Sequence, residues 1–174
     1  MTFSTSNRVR ARASLLLIVG LLVGATPAVA QDAATADAGF TLTVLHTNDT
    51  HAHIEQFDGS TTTCSEETEA EGGCIGGAAR RATEINRWRN GENGSNVILV
   101  DAGDQFQGTL FFNEYKGAEA AQFMNELGYQ AMAIGNHEFD NGPGDLAAFI
   151  GEVSFPVLSS NVDATAQADL NGKI

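Results

Sequence analysis

Three short clusters of polar side chains stand out along the chain: His46-Thr47-Asn48-Asp49-Thr50-His51, Asp101-Ala102-Gly103-Asp104 and Gly135-Asn136-His137-Glu138. Their residue types are those that hold metal ions. Asp49 and His51 offer a hard carboxylate and an imidazole two positions apart, and alternate residues of an extended segment face the same way. Asp104 brings two carboxylate oxygens able to bridge two ions, and the Asn136 carbonyl ligates a second ion without adding charge. This mixed oxygen and nitrogen set suits zinc, manganese, iron or cobalt better than calcium and does not choose among them. Two such divalent ions, about 3.5–4 Å apart, would lower the pKa of a shared water and polarise a phosphoryl oxygen, so hydrolysis of a phosphate ester is the chemistry the set fits. His137, beside a ligand but not required as one, can donate a proton, and Asp140 can orient its ring.

Each of these residues also has a plainer reading. Asp49 alone would serve as a turn or helix cap, and His46 and His53 read as loop residues or as supports behind the ligands. Glu138 reads as a structural acceptor rather than a base, and Asp101 as the organiser of a turn. What raises the clusters above these readings is their shared position, for each ends an apolar, β-branched run.

Those runs define the elements that must do the positioning. Residues 41–45, 96–100, 131–134 and 156–160 read as strands, separated by amphipathic stretches at 77–89, 118–127 and 145–150 that read as helices. Alternation of this kind predicts an α/β fold, a sheet with helices packed on its faces. Open α/β sheets bind ligands at the carboxyl ends of their strands, which is where all three clusters fall. In the helix at 118–127, Ala121, Phe123, Met124 and Leu127 form the expected core face, with Gly128 as the stop. The stretch 54–73 reads as a polar loop, and the run Glu66, Glu67, Glu69, Glu71 within it as solvated.

Composition excludes some partners. The formal net charge is -13, and all 22 acidic residues follow Gln31. Such a surface repels the backbone of a nucleic-acid polymer and anionic membranes. There is no Gly-x-x-x-x-Gly-Lys-Ser/Thr, so a P-loop site is absent from the sequence. Residues 1–30 have the pattern of a signal peptide: Arg8, Arg10 and Arg12, an apolar run too short to span a bilayer, then Ala28-Val29-Ala30. The reading is therefore an exported protein, periplasmic or secreted, with no stable membrane anchor in this chain. Residues 31–39 read as a mobile leader and 40–174 as one domain. In an oxidising compartment Cys64 and Cys74 favour a disulfide over two free thiols, and their spacing fits no short zinc-knuckle pattern.

The clusters, with Gln105-Phe106-Gln107-Gly108-Thr109 after the second and Phe139-Asp140-Asn141-Gly142 after the third, resemble the first three motifs of the calcineurin-like metallophosphoesterases in their 5′-nucleotidase branch. Cys74-Ile75-Gly76-Gly77-Ala78-Ala79-Arg80 and Tyr115-Lys116-Gly117-Ala118-Glu119 are similar to the extracellular members. The resemblance implies a metallophosphoesterase-type sheet with flanking helices and two divalent metal ions, with Asp49 and His51 on one ion, Asp104 bridging and Asn136 on the other. It implies that His137 and Asp140 form the catalytic pair and that the substrate is a nucleotide or another small phosphate ester. Asp140 favours 5′-nucleotides, since the related cyclic phosphodiesterases carry Asn there. Members add Gly-His and Gly-His-x-His motifs and a base-binding domain, and no histidine follows His137. The chain is thus expected to be the N-terminal part of such a domain, with weak metal affinity and negligible turnover by itself. The alternatives are a 2′,3′-cyclic-nucleotide phosphodiesterase, a nucleotide-sugar hydrolase, or a non-catalytic metal- or nucleotide-binding remnant.

Overall fold

The computed structural model describes residues 39–60, 63–91 and 96–174; the signal-peptide reading and nearly all of the leader lie outside them. Four strands form one parallel sheet in chain order: β1 (Thr43–Thr47), β2 (Val97–Asp101), β3 (Ala131–Ala133) and β4 (Val157–Leu158). Between them lie α1 (Glu66–Ala70), α2 (Ala78–Arg89), α3 (Leu110–Tyr115), α4 (Ala118–Leu127), a 3-10 turn (His137–Phe139) and α5 (Pro143–Glu152). The order 1-2-3-4 means that every crossover steps in the same direction. Right-handed crossovers, the rule for such units, then place the connecting helices on one face. The burial pattern agrees. Leu99, Met132 and Val157 share a core with Ile85 of α2, Met124 and Leu127 of α4, and Leu146 and Phe149 of α5. The other face is open among the described residues: Val44 and Leu158, about half exposed, share it with the half-buried Ile98 and Val100.

Local chemistry explains the departures from the sequence reading. β1 runs two residues later than expected because its ladder pairs Thr47 with Asp101. The acidic run is not all loop: Glu66, Glu67 and Glu69 form the first turn of α1, where carboxylates favour the helix dipole, and the Ser65 hydroxyl caps it by accepting the Thr68 N–H at 3.1 Å. α3, not expected, starts at Thr109, whose hydroxyl accepts the Phe111 N–H at 3.2 Å and donates to the Ala52 carbonyl at 2.8 Å. On α4 the buried face includes Glu119 and Ala120 in place of Phe123, which is half-buried. Helix α4 ends at Gly128 in the left-handed region (φ 72°), and the Arg89 guanidinium donates to the Leu127 and Gly128 carbonyls at 2.6 and 2.9 Å.

Two consequences for stability follow. Cys64 and Cys74 are disulfide-bonded across a sequence separation of ten. Reduction is expected to lower stability by about 2–3 kcal/mol, measured as the shift in urea unfolding with and without reductant. Glu119 is a buried carboxyl whose Oε2 accepts the Gly117 N–H at 3.1 Å and whose Oε1 finds no partner among the described residues. Burial raises its proton affinity above the ordinary carboxyl value. A carboxyl that holds its proton more tightly when folded contributes most stability at low pH. That contribution is lost as pH rises from the ordinary value of 4.5 through the raised folded value. Glu119→Gln should therefore melt higher than the parent near neutral pH, and the advantage should close below pH 4.5; paired melting curves check both halves.

Candidate metal site

The loops that leave β1 and β2 stay zipped together beyond the strand ends. The N–H groups of Asp49, His51 and Ala52 donate to the carbonyls of Gly103, Asp104 and Gln105 at 2.9, 3.1 and 2.9 Å. Asp49, His51, Ala52 and Asp104 all have φ between 46° and 58°, the left-handed region that non-glycine residues rarely enter. Asp49 and His51 therefore do not meet through strand alternation, which was the basis of the sequence expectation. They meet through a left-handed turn, which brings His51 Nε2 to 3.7 Å from Asp49 Oδ1.

The third loop is fastened by Glu138. Its side chain is fully buried, and its two oxygens accept four backbone N–H groups: Oε2 from Asp104 (2.9 Å) and Gly135 (2.7 Å), Oε1 from Gln105 (2.7 Å) and Phe106 (3.3 Å). The chains approach so closely here that a Cβ on Gly135 would lie 2.6 Å from the Asp104 backbone nitrogen. Gly103, at φ 100°, would set a Cβ 2.8 Å from the Gly135 Cα. Asp101 organises the second turn, as the sequence suggested. Its Oδ1 accepts the Gly103 N–H at 2.8 Å, and its Oδ2 accepts from the Thr47 hydroxyl at 2.5 Å and Gln105 Nε2 at 2.9 Å. With its one hydrogen given to Asp101, the Thr47 hydroxyl accepts from the Tyr129 hydroxyl at 2.6 Å. Burial raises the Asp101 carboxyl above its ordinary value, against the opposing pull of these hydrogen bonds.

The result is a cluster in which ligand atoms of His51, Asp104 and His137 lie within 4.8 Å of one another. The two imidazole rings meet edge to face, 5.0 Å apart. Each is held by its Nδ1. His51 Nδ1 lies 3.0 Å from the Phe106 carbonyl, and because a carbonyl only accepts, Nδ1 carries the proton and Nε2 keeps its lone pair. His137 Nδ1 donates to Asp140 Oδ2 at 2.6 Å, and this bond is the main reason its proton affinity is raised. The His137 N–H donates to Asp104 Oδ1 at 3.0 Å, so that carboxylate is aimed by the third loop. Asn136 immediately precedes His137 and is exposed at the start of the 3-10 turn.

Other candidates fall elsewhere. His46 lies on the open face of β1, in register with Val100. His53 donates to the Thr50 carbonyl at 3.0 Å and packs on Phe57 at 4.5 Å. A hollow of about 710 Å³ is lined by residues from Ala52 to Phe57 and from Gln107 to Phe111, beside the cluster rather than over it. Gln105 stood within the second motif of the sequence reading, but no role was given to it, because a loop amide shows no function until its partners are in place.

A parallel sheet whose strand-end loops gather an imidazole and carboxylate cluster defines an α/β protein with a candidate metal site on those loops. A family model described as calcineurin-like phosphoesterase matches residues 42–172, and the chain belongs to that family. Among curated relatives, the bovine (Bos taurus) 5′-nucleotidase is 50% identical over 124 residues, covering 71% of this chain and 21% of that protein. The human (Homo sapiens) 5′-nucleotidase is 47% identical over 156 residues, covering 89% and 24%. The solved 5′-nucleotidase precursor of Thermus thermophilus superposes with a TM-score of 0.66 at 46% identity, over 78% of this chain and 25% of that one. The chain thus spans between a fifth and a quarter of the length of these relatives. The family implies divalent metal ions, and the residues fit them: His51, whose Nε2 keeps its lone pair, and the Asp104 carboxylate offer ligand atoms side by side, with a ring nitrogen of His137 within 4.8 Å of both.

The Glu138 cradle can be tested directly. Glu138→Gln must turn an NH2 group toward two of the four N–H donors, leaving them unsatisfied. A loss of about 2–4 kcal/mol is expected, read from urea unfolding; an unchanged midpoint would show that the cradle contributes nothing to the fold.

Proposed function

We propose that this chain forms part of an exported, secreted or periplasmic 5′-nucleotidase, which hydrolyses nucleoside 5′-phosphates to nucleoside and phosphate. The observation that carries the reading is the convergence of His51, Asp104 and His137 at the strand ends, with both imidazoles anchored through Nδ1. The 5′-nucleotidases at about half identity support the substrate class, and the signal-peptide pattern in residues 1–30 supports export. In this reading Asp49 and His51 hold one divalent ion, Asp104 bridges to a second, and Asn136 serves the second. Bound divalent ions supply Lewis acidity toward the phosphoryl group and acidify a water at neutral pH.

The chain's own residues do the rest. The Phe106 carbonyl fixes the His51 ring so that Nε2 faces the ligand cluster. The Asp104 carboxylate is held by the His137 N–H, which fixes where its oxygens stand. His137 is oriented by Asp140 and carries a proton more readily than an ordinary histidine. Its Nε2–H can then donate to the charge that builds on the phosphoryl oxygens or the leaving group.

The test is hydrolysis by the complete gene product, supplied with Zn, Mn, Co or Fe ions, of AMP, 2′,3′-cyclic AMP, a nucleotide sugar and NAD, with the nucleoside, nucleotide and phosphate products separated and measured by chromatography. AMP is expected to be the preferred substrate, and His137→Asn to lower kcat by roughly 10²–10⁴-fold with less effect on KM. A preference for the cyclic nucleotide or the nucleotide sugar would overturn the substrate assignment, and metal binding without turnover would overturn the enzyme.

A further inference from the structure

We propose that Gln105 is a positioning residue, whose side-chain amide sets the spacing between the loop carrying Asp49 and His51 and the loop carrying Asp104; its consequence for metal rests on the reading above. Gln105 is 2% exposed, and its backbone and side chain bond to three separate segments. Its N–H donates to Glu138 Oε1 at 2.7 Å and its carbonyl accepts the Ala52 N–H at 2.9 Å. Its side-chain Oε1 accepts the Thr50 hydroxyl at 2.6 Å, and its Nε2 donates to Asp101 Oδ2 at 2.9 Å. No other residue of the second loop reaches both the first loop and Asp101 through its side chain among the described residues.

The chemistry requires an amide. Asp101 presents a carboxylate oxygen that needs a donor, and Thr50 presents a hydroxyl that here needs an acceptor. A carboxylate at position 105 would face Asp101 across a buried contact, with Glu138 also close by. Asp101 is a fixed post, since Thr47 and Gly103 already hold it. Thr50 lies between Asp49 and His51, whose left-handed backbone is sparsely populated even for the residue types that tolerate it best and is held by its surroundings. The path from Asp101 through the Gln105 amide to Thr50 supplies such a hold. Outer partners of this kind commonly change metal affinity without touching the ion.

Gln105→Met keeps the length of the side chain and removes both of its hydrogen bonds, and Thr50→Val removes only the link to the first loop. Hydrogen exchange of the Asp49, His51 and Ala52 amides in the metal-free chain reads the positioning directly. A Co²⁺ titration followed by visible absorption reads its effect on the site. Gln105→Met is expected to speed exchange at those three amides by roughly tenfold relative to the Met132 amide. It should also weaken Co²⁺ by roughly 10–100-fold with an altered absorption band. Thr50→Val should reproduce most of this, the double variant should add little, and Thr50→Val carries the test if Gln105→Met does not fold. Phe155→Leu, a core change, should lower overall stability and speed the Met132 amide, while leaving the exchange rates of the three loop amides themselves and the Co²⁺ affinity unchanged. Unchanged exchange at the three amides in both variants overturns the proposal, as does an equal loss of Co²⁺ in Phe155→Leu. Selective loss of amide protection in a chain that binds no Co²⁺ at all would uphold the positioning role and remove the metal reading instead.

Discussion

The Glu138 side chain is the constraint on which the rest of the site depends. Four backbone N–H groups from two loops point at one buried carboxylate, and a buried donor without an acceptor costs about 1–3 kcal/mol. The second loop cannot move away from the third without exposing that cost. The first loop follows, because its own N–H groups are bonded to the carbonyls of the second. One side chain thus fixes, directly or at one remove, the backbone of all three clusters. The close approach of Gly103, Asp104 and Gly135 is the steric side of the same arrangement, and it leaves no room for a Cβ at either glycine.

The candidate ligands and their supports are sorted by exposure. Asp49, Asn136 and Asp140 face solvent, and His51, Asp104 and His137 are partly covered, whereas Asp101, Gln105 and Glu138 are buried. The candidate ligands are accessible, and the groups that hold the loops together are dry, where their hydrogen bonds are strongest. Phe106 links this site to the core. Its ring is fully buried, with Phe112 at 4.8 Å and Phe149 at 5.4 Å, while its carbonyl receives the His51 Nδ1 proton. Packing of three aromatic rings therefore decides which imidazole nitrogen is presented to the ligand cluster.

Much of this was legible in the sequence. The strand-end location of the clusters predicted that they would converge, and the apolar runs predicted an α/β sheet, because burial and strand-end position leave a periodic trace. Gly128 as the stop of α4 and Glu138 as an acceptor were legible for the same kind of reason, since residue type restricts what each can do in place. What was not legible depends on contacts between distant segments. The first strand continued to Thr47 because a partner strand extended the ladder. Asp49 and His51 met through left-handed turns that no aspartate or histidine announces. Gln105 lay in a motif but its role was not legible, since an amide in a loop is ordinary until its partners at positions 50 and 101 are in place. Glu119 is buried at the start of α4, where its carboxylate accepts the Gly117 N–H, a contact that no apolar periodicity announces.

The strand order of the sheet is also the order in which a ribosome makes it. A chain growing from its N-terminus can lay β2 on β1 and β3 on β2 as each emerges, with no strand having to be inserted between two others. Synthesis is directional, and segments made first can begin to fold first. The last to be made of the side chains that fasten the loop backbones to one another is Glu138. Until that residue has been added, the N–H groups of Asp104, Gln105 and Phe106 have no carboxylate to receive them. The metal-competent cluster is thereby closed by a latch that arrives after the parts it secures.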